Sequence, residues 1–119
     1  MTALELVRAC AGEPPHYQLY VNAFVDEFRK ASAEQRARMV AEGPHRSGRI
    51  EGLIAAVVSA LCREVAVPAP DWVRHIHSPA PFFVFPARGF ALRVRLMLES
   101  PPAFRCRNVF VPENYLARA

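Results

Sequence analysis

An all-α fold is what this sequence predicts, arranged as one compact multi-helix domain over residues 1–119. Two apolar stripes carry that expectation. Tyr17, Val21, Phe24, Phe28 and Ala31 recur at helical spacing, and Ile50, Ile54, Val57, Leu61 and Val65 do so again. Composition is the third observation. With 52% hydrophobic and 22% charged residues, the chain carries enough apolar material to bury a modest core and should fold rather than stay disordered.

The elements follow in order. Thr2 and Glu5 stand at capping-box spacing ahead of Leu4, Leu6, Val7 and Ala11, which predicts a short helix ending at Gly12. Pro14 and Pro15 then open a longer helix, since proline is tolerated in a first turn. Asp26, Glu27, Arg29 and Lys30 fill the side of it opposite the aromatic stripe, so the aromatics are core. Ser32 with Gln35 restarts or continues this helix through Val40, and the turn-rich loop "EGPHRSGR" follows. In the helix beyond that loop, Leu53 and Val58 widen the stripe. Apart from Glu51 no charge appears before Arg63, so this is the most buried helix; it stops before Pro68.

The stretch "PAPDWVRHIHSPAPFFVFPARG" holds five prolines, which exclude a long regular element. Asp71 is expected to cap a helical turn at Trp72, and the phenylalanines of "PFFVF" to wrap the core; left exposed they would form a binding patch. "FALRVRLMLES" fits a strand's alternation, and Phe90, Val94, Met97 and Leu98 equally fit one helical face. Its helix-forming residues, and the want of an obvious partner strand, favour a helix. Ser100 should cap a short helix begun by Pro101 and Pro102 and ending near Asn108. "VFV" is extended, and Pro112–Glu113 opens a last turn through Arg118.

Several function classes find no support. The charge-free runs 52–62 and 75–87 are shorter than the roughly 20 apolar residues a membrane span needs. The first ten residues lack a basic start and a long apolar centre, so no signal peptide is expected and a cytoplasmic setting is. Cys10, Cys62 and Cys106 are scattered without a C-x-x-C pair, and His75 and His77, two apart, stand roughly 200° apart on a helix. No metal or cofactor is expected. There is no H-E-x-x-H, G-x-S-x-G or phosphate-loop pattern, so the chain reads as a non-enzyme.

Charge is more telling when divided. Residues 1–71 carry eight basic and nine acidic side chains, whereas residues 72–119 carry seven arginines and two glutamates. A GC-rich genome accounts for arginine over lysine but not for this asymmetry, which points to an acidic partner for the C-terminal end. Arg88, Arg93, Arg95, Arg105 and Arg107 are the candidate binding set, with Phe104, Trp72 and Ser100 as structural anchors. Arginine's planar fork grips carboxylate or phosphate bidentately; the alternative is a solvated face with internal pairs to Glu99 or Glu113. In "FRCRN", Phe104 should turn inward. Arg105 and Arg107 then point to different sides, one pairing inside the fold and the other facing out.

The stretch "LIAAVVSALCREVAVPAPDWV" followed by "FALRVRLMLESPPAFRCRNVFVPENYLARA" resembles a family of small bacterial antitoxin-like proteins encoded beside nucleotidyltransferase-like toxins. The matching positions are Pro70, Trp72, Leu96, Glu99, Ser100, Pro101, Phe104, Arg105, Arg107, Phe110, Val111, Leu116 and Arg118, over about the C-terminal two thirds. Cys106 departs from the family's middle arginine. The resemblance implies a protein-binding module that engages such a toxin as its partner. Two other readings remain open from the residues: a DNA-binding regulator, and a structural subunit of a larger assembly. The first wants a helix–turn–helix, and the "EGPHRSGRIEGL" junction is long and the helix after it very apolar for that.

Overall fold

The computed structural model describes residues 1–84 and 89–117, and it is all-α. Six helices appear among these residues: α1 Ala3–Gly12, α2 Tyr17–Lys30, α3 Ala33–Val40, α4 Arg49–Glu64, α5 Phe90–Glu99 and α6 Pro102–Arg105. Two strands, β1 Phe82–Phe83 and β2 Val109–Phe110, accompany them.

Local chemistry sets the helix starts. At α1 the Thr2 hydroxyl accepts the Glu5 amide at 3.1 Å, while the Glu5 carboxylate takes the Thr2 hydroxyl proton rather than closing the box on the backbone. At α3 the box is complete: Ser32 Oγ accepts the Gln35 amide at 3.2 Å and Gln35 Oε1 accepts the Ser32 amide at 3.0 Å. The chain therefore restarts at Ser32 instead of continuing α2. Pro14 and Pro15 do not open α2 as expected. They form a separate 3-10 turn, Pro14–His16, and α2 begins at Tyr17.

The core is built around α4, where every residue from Gly52 to Val58 is buried. Helices α1 and α2 pack on it from one part of the chain, and α6, β2 and a 3-10 turn at Asp71–His75 from the other. Leu6, Phe24, Phe28, Leu53, Ile54, Leu61 and Phe104 are its largest fully enclosed side chains. Both expected stripes thus face inward, with Tyr17, Ala31, Ile50 and Val65 half-buried at their ends. Arg29 locks the outer edge: its fork meets Glu64 at 3.0 and 3.1 Å while its third nitrogen donates to Leu116 O at 3.0 Å. The guanidinium holds the Glu64 carboxyl below the usual carboxylate range.

The proline-rich segment packs closely enough to dictate a glycine. A Cβ on Gly52 would stand 2.6 Å from Ser78 N, an amide held by Arg107 O at 2.8 Å. Alanine's helix propensity favours the chain by roughly 1 kcal/mol, but overpacking against backbone costs about 1–3 kcal/mol. Gly52→Ala is therefore expected to lower stability despite lying mid-helix, and urea unfolding checks it. Nearby, Trp72 Nε1 donates to Val40 O at 2.9 Å and its ring lies against Gly43. Asp71 does not cap this turn. Pro70 precedes it, and Asp71 lies inside it, 4.0 Å from Arg74.

The strands are the part that periodicity does not foretell. Phe82 lies opposite Val109 and Phe83 opposite Phe110 in a parallel pair. Phe82 N donates to Asn108 O at 3.0 Å and Val84 N to Phe110 O at 3.1 Å. Phe82 and Val84 are buried, which is the core-wrapping role expected of "PFFVF"; its last residue, Phe85, lies outside the described residues.

Candidate functional site

The C-terminal segment is one connected scaffold before it is a surface. α5 ends where Ser100 turns the chain, and Pro101 and Pro102 start α6. Phe104 enters the core with no exposed surface and meets Tyr115 edge-on, ring centroids 5.7 Å apart. Ser100 does not cap α6; Pro101 occupies that position. The buried Ser100 hydroxyl instead lies 2.6 Å from Leu96 O and 3.0 Å from Val111 O, sharing its proton between them. It also accepts the Val111 amide at 2.8 Å. One side chain therefore closes α5 and fixes the chain just after β2.

The five candidate arginines separate once placed. Arg107 is committed inside the fold. Its guanidinium donates to Val73 O at 3.1 and 3.2 Å and to Ala103 O at 2.7 Å, tying the 71–75 turn to α6. Arg105 is exposed, and among the described residues its side chain makes no hydrogen bond or ion pair. Arg95 is exposed and pairs with Glu99 at 2.8 Å, which raises its pKa. Such a solvated pair contributes little and exchanges readily for another carboxylate. Arg93 lies over the Phe83 ring at 5.4 Å. Arg88 falls outside the described residues.

α5 packs apart from the main core. Its buried contact is Leu96, in a small cluster with Phe110 and Phe83. Of the stripe, Phe90, Met97 and Leu98 point away from the protein and Val94 is half-buried. Phe90 is 84% exposed and Leu98 72%, with Met97 and Leu92 also exposed. Periodicity reveals that a stripe exists and leaves open which way it faces; here the core is already filled by α1, α2, α4 and α6.

Ser47 Oγ lies 3.2 Å from His77 Nδ1, a pairing the sequence conceals across thirty residues. The same hydroxyl accepts the His77 amide and lies 3.2 Å from His75 O, so it clasps two loops. Among the described residues no carboxylate orients the imidazole. No three His, Cys, Asp or Glu side chains converge among the described residues. An apolar cleft of about 240 Å³ between α3 and the end of α4 is lined by Phe28, Ala37, Val40, Cys62, Val65 and Val67. Its one charged group, Arg36, is spent on Phe28 O and Arg29 O, so nothing polar there would orient a substrate. Burial raises the pKa of the Cys10 and Cys62 thiols, Cys10 to about 11, which keeps both protonated.

No family model, curated protein or solved structure matches this chain.

Proposed function

We propose that this chain is a non-enzymatic protein-binding module that engages its partner through the surface of the C-terminal region, in the manner of an antitoxin. One observation carries the proposal. A helix in the most basic part of the chain holds Phe90 and Leu98 out into solvent, 84% and 72% exposed, whereas the stripes of α2 and α4 face the core. Contiguous exposed apolar side chains rimmed by polar groups mark interaction sites. Desolvating a side chain of this size contributes about 1.5–3 kcal/mol, so Phe90 and Leu98 suit the centre of an interface. Arg95 and Arg105 suit its rim, steering an acidic partner and fixing its register.

The specific partner that the resemblance implies is a nucleotidyltransferase-like toxin. Within "ESPPAFRCRN" Ser100, Phe104 and Arg107 serve the scaffold, which leaves Arg105 as the residue turned toward a partner. The reading is tested by recovering the tagged full chain from its native cells, as wild type and as Arg95→Glu with Arg105→Glu. The expected result is a stoichiometric protein partner, weakened at least tenfold by the reversals. The melting temperature should move by less than about 4 °C, because both sites are exposed. Duplex DNA bound in place of protein, and lost on reversal, would instead support a DNA-binding regulator. A partner retained unchanged would support a structural subunit docked elsewhere.

A further inference from the structure

We infer that the outward face of α5 seats an acidic amphipathic helix of the partner protein, an inference that rests on the protein-binding reading above and specifies the partner's chemistry. Phe90, Val94, Met97 and Leu98 stand at i, i+4, i+7 and i+8, within about 100° of one another around the helix. That is a ridge about 12 Å long, the geometry one helix presents to another. Leu96, on the other side of α5, packs on Phe110 and Phe83 and so keeps the ridge facing out.

Charge selects the occupant. Arg93 and Arg95, two apart, lie on opposite flanks of the ridge, so basic side chains border it on both sides, that of Arg93 with its guanidinium over the Phe83 ring at 5.4 Å. The helix carries one acid, Glu99, already paired with Arg95 at 2.8 Å. A partner helix with glutamates or aspartates beside its own apolar stripe meets both borders favourably. A second copy of this chain would set arginine border against arginine border, in molecules that each carry a net +4. Nucleic acid satisfies the arginines and leaves Phe90 and Leu98 against phosphate. A lipid surface would meet the same apolar face and basic flanks, and the vesicle arm of the test below separates it from a protein helix.

The probe is a synthetic helix of about 15 residues with a leucine stripe flanked by glutamates, compared with the same helix flanked by lysines. Backbone amide shifts of the full chain are followed as each is added. The glutamate helix is expected to shift residues 90–99 saturably and at least tenfold more tightly than the lysine helix. Leu98→Asp should abolish those shifts. Leu19→Asp, at an apolar site 65% exposed on α2, should leave them intact. Equal affinity for the two helices, or shifts centred elsewhere, would overturn the inference. So would Leu98-dependent sedimentation with phosphatidylcholine–phosphatidylglycerol vesicles, or broadening of α5 with protein concentration alone. A cellular partner that binds regardless of Leu98→Asp would remove this inference and leave the protein-binding reading standing. Failure to recover any protein partner would remove both.

Discussion

Phe104→Ala is expected to destabilise the chain by about 3–5 kcal/mol, the largest effect of any single substitution in the C-terminal region. The ring is fully enclosed, and α6, which carries it, packs directly on the central helix α4. Truncation removes the apolar transfer energy of the ring and leaves a void beside Tyr115 in a close-packed core that cannot fully close in. The edge-on contact with Tyr115 is lost as well. Domains of this size have about 5–15 kcal/mol of stability in total, so the loss is a large fraction of it. Urea unfolding followed by circular dichroism gives the number; a change below about 1 kcal/mol would mean Phe104 is not the anchor described.

Ser100→Ala is the second large effect, about 1–3 kcal/mol, and it acts by a different mechanism. The substitution removes almost no volume. It leaves the buried Val111 amide without its acceptor at 2.8 Å and Val111 O without its donor at 3.0 Å. Leu96 O keeps the Ser100 amide at 3.0 Å, so the end of α5 loses less than the chain at Val111 does. An unsatisfied buried donor carries its full desolvation cost, and that cost, not the net worth of a hydrogen bond, sets the magnitude. Hydrogen exchange separates the two outcomes. The Val111 amide should exchange much faster in the variant, whereas amides of α1 and α2 should slow or quicken only with global stability.

How much of this was legible in the sequence depends on the range of the interaction. The helices α2 and α4 follow from i, i+4 periodicity, and the caps at Thr2 and Ser32 from residues three apart. The β1–β2 pair joins residues 27 apart through strands of two residues, too short for any alternation to show. Ser100 is conspicuous beside two prolines, and a cap is its commonest use. Its true partners at Val111 are eleven residues on and appear only when the chain turns back. Arg107 sits beside Arg105 in the sequence, yet one is spent on backbone carbonyls and the other faces out. Two residues of separation foretell that split without saying which is which. The ridge on α5 was visible as a stripe, but its outward direction is decided by a core that other helices had already filled.

The central claim is that α5 and its arginines form a protein-binding face, and one measurement reaches it most directly. The dissociation constant of the purified cellular partner is compared for the wild-type chain and for Leu98→Asp, with the melting temperatures of both recorded. A loss of at least tenfold in affinity at matched thermal stability is the predicted result; unchanged affinity would contradict it.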